Sequence, residues 1–382
     1  MLRSISLVVL VLSPIFASAI PSPTVDCDAG QSLNRTLAKM DKFSSATVTF
    51  KGTCTEYVVI DGFNNLTLNG AQGATIQQPS TNPKNNQYVL SITGSRGITA
   101  SGFAVHSLSN IFSSIGIGGG SNKVVLQGVS TEGSWGVVVY EASQVWLVNV
   151  TVNLTSGYAA ISAFDKSDVH IVDGLLQRPA NGNFNAGLFV GSGHITMQGM
   201  TIRDMQQSIN IGTSGSVDLV NFSATAKGID VIIDNPSGNN FNGAIVSDGS
   251  SLNLGSAKLR ITNAGQPWGG DTGAVFVTNG STLNAGANLI VSSAQGQGVV
   301  ISNNSHAQLS GSSITSVAHG GLVVLNLSTA TADSSNPLTV ISGNGTDLFC
   351  DSRSQIAGAF NIANVVSVNC NNLLPDRYEN LP

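Results

Sequence analysis

Charged side chains are scarce. Lys, Arg, Asp and Glu make up 10% of the 382 residues, against roughly 25% in an average soluble domain. Lys and Glu are also strong helix formers. Their shortage, beside 43 glycines and many Asn, Ser, Thr and Val, disfavours a helical bundle. The 16 basic residues form no cluster that could follow a phosphate backbone, which argues against nucleic acid as a partner. The formal net charge of −5 is mild. Cysteine is limited to four residues, with no C-x2-C pair of the kind that builds zinc sites. Beyond the N-terminus no run is long and apolar enough to span a bilayer, so no membrane association is expected. There is no G-x-x-x-x-G-K-[ST] loop, no H-E-x-x-H, no calcium nonapeptide array, and no G-x-S-x-G in a strand–turn–helix context. Nucleotide hydrolysis, zinc proteolysis and α/β-type serine hydrolysis are thereby excluded as sequence readings.

What is present begins with an export signal. Arg3 gives a positive start, Ile5 to Phe16 is an apolar run, and Ala17-Ser18-Ala19 fits an A-x-A cleavage signal. Cleavage after Ala19 is expected, leaving a secreted, extracellular chain. The alternative is a retained anchor.

One pattern then recurs. Gly136-Val137-Val138-Val139-Tyr140 is followed by a turn, Val145-Trp146-Leu147, a polar break and Val150-Thr151-Val152. Copies open at Ala160, Gly187 and Ser208, then at Ala274, Gly298 and Gly321, with weaker ones near Tyr57, Val89 and Ile115. The starts at 136, 160, 187 and 208 are 24, 27 and 21 residues apart. A repeat of that length signals a solenoid. Its short, alternating, β-branched runs are strands rather than helices. Three such strands per repeat make one coil of a parallel β-helix. A leucine-rich repeat would need an L-x-x-L-x-L-x-x-N framework, which is missing.

The expected fold is therefore all-β: a single-stranded right-handed parallel β-helix with a capped N-terminus and disulfide-tied ends. An open solenoid exposes its core at both termini, which must be covered. Ser32 can N-cap a helix with Leu33, Leu37 and Met40 on one face. The four cysteines allow three pairings. In a solenoid only near neighbours touch, so Cys27–Cys54 and Cys350–Cys370 are expected. Residues 1–19 then form the signal peptide, 20–56 the N-terminal cap, 57–345 the β-helix, and 346–382 the C-terminal cap and tail.

The opening Asp26-Cys27-Asp28-Ala29-Gly30-Gln31-Ser32-Leu33, followed by Gly52-Thr53-Cys54-Thr55-Glu56 and Val58-Val59-Ile60, resembles the N-terminal cap of secreted right-handed β-helix proteins of the pectin-lyase-like superfamily. The resemblance covers essentially all of the mature chain. It implies the fold and leaves the activity open, because that superfamily holds polysaccharide lyases, glycoside hydrolases, esterases, phage tail fibres and proteins with no known reaction. The polygalacturonase motifs N-T-D, D-D, G-H-G and R-x-K do not appear. Ala318-His319-Gly320 is a fragment of the third, and Lys258-Leu259-Arg260 reverses the fourth. The R-x-P-x-x-R motif of pectate lyases is also absent.

The resemblance implies a working surface on the outer face of the first sheet. With Val137 and Val139 inward, Val138 and Tyr140 point out. The same offset exposes Ser162 and Phe164, Phe189, Asn210, Val246 and Asp248, Phe276 and Thr278, Val300 and Ser302, and Val323 and Leu325. Tyr140, Phe164 and Phe189 fall on consecutive coils, and flat aromatic faces suit stacking on sugar rings. The alternative is that a loop or tail covers them. Glu141 and Asp165 occupy one turn position of adjacent coils, with Lys166 beside them and His194 and Arg203 one coil on. Such a carboxylate pair suits glycosidase chemistry. It also suits Ca2+ ligation, or a solvated turn. Lys166 is then a lyase base or a counter-ion. Otherwise no cofactor is expected.

Nine N-x-[ST] sequons, at Asn34, Asn65, Asn149, Asn153, Asn221, Asn279, Asn303, Asn326 and Asn344, permit glycosylation in a eukaryotic host. The leading expectation is an extracellular, monomeric, polysaccharide-binding β-helix protein. The alternatives are a lyase or glycoside hydrolase using Glu141, Asp165 and Lys166, and a structural surface protein.

Overall fold

In a parallel ladder, residues in register stack directly on one another. Val137 lies on Ile161, Ile161 on Leu188, Leu188 on Ile209 and Ile209 on Ala244. All five are fully buried. The same column continues through Val275, Val299 and Leu322 to Leu348. A Val, Leu or Ile buried in this way contributes about 1.5–3 kcal/mol, but only once the next coil covers it. The stack is therefore the unit of stability, and the coil is not.

The computed structural model describes residues 22–80, 88–108, 113–178, 185–222, 228, 230–235, 242–264, 273–342, 346–362, 366–368, 370 and 378–380. The expected signal segment 1–19 and the sequon at Asn344 lie outside them. Among the described residues, thirteen parallel strands, from Val58–Asp61 to Val366–Val368, follow one another in a first sheet. The other walls merge into a second sheet of twenty-five strands, because Gln144–Leu154, Asp168–Gln177 and His194–Arg203 run through the corner unbroken. The chain is a parallel β-helix, the architecture expected from the repeat.

The corner that follows the first sheet is built alike in several coils. Glu141–Ala142, Asp165–Lys166, Thr213–Ser214, Asn303–Asn304 and Asn326–Leu327 all hold φ between 51 and 65°. A left-handed residue pair turns the chain sharply towards the next wall. A buried serine follows, and its hydroxyl accepts the backbone N–H of the serine one coil earlier. Ser121 accepts from Ser95 at 3.2 Å, Ser143 from Ser121 at 3.1 Å, and Ser167 from Ser143 at 3.2 Å. The ladder resumes from Ser250 through Ser281, Ser305 and Ser328 to Ser354. These hydroxyls pair buried backbone donors that would otherwise cost folding free energy.

A short helix stands at the N-terminal end, and both expected disulfides are present. The N-terminal helix is one short element, Leu33–Leu37. Met40 lies beyond its end yet packs against the same core as Leu33 and Leu37. Ser32 accepts the Arg35 N–H at 3.2 Å. The carboxylate of Glu56 accepts the Leu33 N–H at 2.6 Å, the Asn34 N–H at 3.3 Å and the Ser32 hydroxyl at 2.7 Å, so a distant residue caps the helix a second time. The Asn34 amide bridges the Tyr57 carbonyl and the Val59 N–H. Cys27 bonds Cys54, and Cys350 bonds Cys370.

Much of the expected outer face is covered rather than exposed, since Val138, Ser162, Thr278, Val300, Ser302 and Val323 are buried, and one part of it is displaced. The register puts Ile245, not Val246, beside Asn210 and Phe276. Val246 is fully buried, and Asp248 sits in the exposed turn. The strand Asn242–Val246 enters one residue out of phase with that offset, and a one-residue slip reverses every side chain.

Candidate functional site

The strand Ser113–Gly118 carries glycine at both of its last outward positions, Gly116 and Gly118. Two rings from neighbouring coils fill the space. A Cβ on Gly116 would lie 2.3 Å from Cγ of Tyr88, and one on Gly118 would lie 2.4 Å from Cε2 of Tyr140. Both rings therefore rest directly on the sheet. Their centroids are 5.7 Å apart and their planes differ by 20°. The two rings are nearly parallel and stack against each other over the two glycines.

Further rings extend the surface. Trp135 stacks on Tyr158 at 5.1 Å, with planes 13° apart. Tyr158 meets Phe189 edge-on at 5.5 Å, and Phe189 meets Phe164 at 5.5 Å. Phe164 lies over a third outward glycine, Gly191, where a Cβ would be 3.2 Å from the ring. Tyr158 is 41% exposed, and the other five rings are half-buried. A cleft of about 540 Å³ runs along Tyr88, Trp135, Val138, Tyr140, Phe164 and Asp165.

The three rings expected from the repeat do lie on consecutive coils, although not in one column. Tyr140 and Phe164 are in register, since Val139 pairs with Ala163. Phe189 pairs with Ser162, two residues back, and Gly191 continues the Phe164 column. Tyr88, Trp135 and Tyr158 were not read from the repeat, because they sit at or before strand starts, where alternation does not yet hold. Glycine in two alternating outward slots, Gly116 and Gly118, was the available signal.

Glu141 and Asp165 stand one above the other in the turn, as the Ala142 N–H donates to the Asp165 carbonyl at 2.9 Å. Glu141 reaches back one coil, its carboxylate accepting the Gly119 N–H at 2.8 Å. Asp165 faces the cleft. Lys166 is exposed in the same turn. His194 and Arg203 belong to another wall, the strand His194–Arg203, where the imidazole contacts Ser216 and Thr196. Among the described residues Cys27, Cys54 and Glu56 have metal-ligand proximity. The two sulfurs are bonded to each other and Glu56 caps the helix, so the group is no cation seat. A second cleft, of about 580 Å³, opens near Asn149, Asp173, Thr201 and Asp230. It holds no aromatic ring, and Asp230 is paired with Arg260 at 2.7 Å.

Burial pushes the Tyr88 phenol well above the usual tyrosine value, with smaller effects from Tyr140 and Glu141. Burial raises Tyr140 as well, against a lowering effect of Tyr88, and Glu141 adds to the rise. A raised folded pKa contributes stability that is complete below the unfolded value, near pH 10, and is lost as pH rises through the folded value. Tyrosinate absorbance should therefore rise in two phases, with the late phase reduced in Tyr88→Phe and in Tyr140→Phe and missing when both are changed. Thermal stability should fall above about pH 10. A single phase near pH 10 in the native protein would contradict the burial of these two phenols.

The fold and the ring surface define the class: a parallel β-helix with an aromatic platform on its first sheet. Solved structures similar to this chain include a pectin methylesterase from carrot, at 13% identity and TM-score 0.40, covering 70% of this chain and 84% of that one. PfbA, a surface adhesin of Streptococcus pneumoniae, is similar at 10% identity and TM-score 0.40, with 90% and 94% covered. The catalytic domain of a GH87 α-1,3-glucanase in complex with nigerose is similar at 13% identity and TM-score 0.32, with 94% and 71% covered. At these identities the likeness concerns the fold alone. No protein-family model and no curated protein matches the sequence. No helix among the described residues is long and apolar enough to cross a membrane.

Proposed function

We propose that this chain is an extracellular glycan-binding protein whose aromatic platform holds a polysaccharide. The observation that carries the reading is the cleft lined by Tyr88, Trp135, Tyr140 and Phe164, with Tyr88 and Tyr140 seated over Gly116 and Gly118, since aromatic rings along an open cleft suit stacking on sugars. The two disulfides suit an oxidising compartment. The test is retention of the purified protein on immobilised polysaccharides. Tyr88→Ala or Tyr140→Ala should lower affinity roughly tenfold or more. Gly118→Val keeps every ring but lifts Tyr140 off the sheet, and Val suits a strand. It should lower affinity similarly while the protein stays folded. Unchanged retention in all three would remove the binding reading for this face.

A hydrolytic or lyase reading is favoured by one observation, the position of Asp165 in the ring-lined cleft with Glu141 one coil below. Its residues are Glu141, Asp165 and Lys166. Product release that disappears in Asp165→Asn, with retention preserved, would support it.

A further inference from the structure

The thirteen strands of the first sheet contain one charged residue, Asp61. Asp61 lies at the first coil, away from the rings, paired with Lys42 at 3.3 Å and hydrogen-bonded to Thr93. No Lys, Arg or His stands on any of these strands. The charges nearest the rings sit in the adjoining turns. Among the described residues, the turns that close the ring-bearing strands Trp135–Val139 and Ala159–Phe164 carry Glu141 and Asp165, with Lys166 beside them.

From this charge pattern, and resting on the glycan-binding reading above, we infer that the platform takes a neutral glycan and discriminates against polyuronates and sulfated polymers. A carboxylate-bearing chain laid on these rings would lose hydration over an apolar surface whose strands carry no cation to replace it. It would also meet Glu141 and Asp165. A neutral chain meets neither cost, since its hydroxyls stay wet at the edges while its apolar ring faces stack. The rings from Tyr88 to Phe189 span five coils, about 19 Å at roughly 4.8 Å per coil. That length fits several sugar rings rather than one monosaccharide. The surrounding polarity agrees. Apart from the rings, Ser113 and Asn210 supply uncharged hydrogen-bonding groups on the same sheet.

The test uses one polymer in two charge states: polygalacturonate and the galactan obtained by reducing its carboxyls, together with neutral glucans, mannans and xylans. Affinity electrophoresis at low and high salt reads retention. Neutral polymer should be retained at least tenfold more strongly than polyuronate. That retention should not change with salt, since stacking is not screened, and it should vanish in Tyr88→Ala. Charge reversal by Glu141→Lys or Asp165→Lys should raise polygalacturonate retention roughly fivefold each at low salt and lose that gain at high salt. Stronger, salt-sensitive binding of wild-type protein to polygalacturonate would overturn neutrality while leaving the glycan-binding reading intact. Retention of no polymer in either charge state would overturn both.

Discussion

Gly187→Val should lower the free energy of unfolding by about 3 kcal/mol or more, the upper range for overpacking a well-filled interior. A Cβ at Gly187 would lie 2.5 Å from the Ser208 carbonyl oxygen and 2.7 Å from Cγ2 of Ile202. The first obstacle is backbone of the next coil, which cannot yield without opening the ladder. The position belongs to a column. By register Gly136 lies on Ala160, then Gly187, Ser208, Gly243, Ala274, Gly298 and Gly321 follow. A Cβ on Gly136 would meet the Ala160 carbonyl at 2.2 Å, and one on Gly298 the Gly321 carbonyl at 2.5 Å. Coils approach too closely there for more than a small residue. Thermal and denaturant unfolding of Gly187→Val, with Gly187→Ala as the milder step, reads the effect. A midpoint equal to wild type in Gly187→Val would show that the coils are not packed this tightly.

Removing the N-terminal bridge should cost about as much. With Cys27 and Cys54 both changed to Ser, the loss on a chain-entropy model is about 3 to 4 kcal/mol for a loop of this length. The sequence separation is 27 residues. The damage should be local. The bridge ties the segment carrying the Leu33–Leu37 helix to the first coil, and a solenoid unit contacts only its neighbours. Hydrogen exchange should rise first in residues 24–61 and stay slow through the central coils. Adding Glu56→Ala should deepen the loss at the same end, because two helix N–H groups lose their acceptor. Uniform loss of protection along the chain would instead mean that the solenoid unfolds as one cooperative body.

The small-residue column explains why the repeat could be read at all. The starts at Gly136, Ala160, Gly187 and Ser208 are the places where coils meet most closely, so a steric demand of the stack left a periodic mark in composition. The buried serines leave a similar mark. Ser281, Ser305 and Ser328 are each the third residue of a sequon opened by Asn279, Asn303 or Asn326, whose αL conformation forms the turn. These N-x-S triplets follow from corner geometry whether or not a glycan is added. At the site, Tyr140, Phe164 and Phe189 were legible because each lies within or just beyond a regular strand. Val246 was misplaced because the strand phase changes across the long segment before it.

The sequence by itself determined the strand period, the close coil contacts, the cap at Ser32 and the cysteine partners, since each rests on local pattern or on proximity within a few coils. Only the tertiary structure decided the platform. Tyr88 and Tyr140 are 52 residues apart, and they meet over Gly116 and Gly118 because three coils stack in one register. Residue spacing encodes which face a side chain takes. It does not encode where a ring at the start of one coil falls over a gap in the next. That outcome depends on the exact phase of each turn, and a single residue of slip would have turned the rings inward.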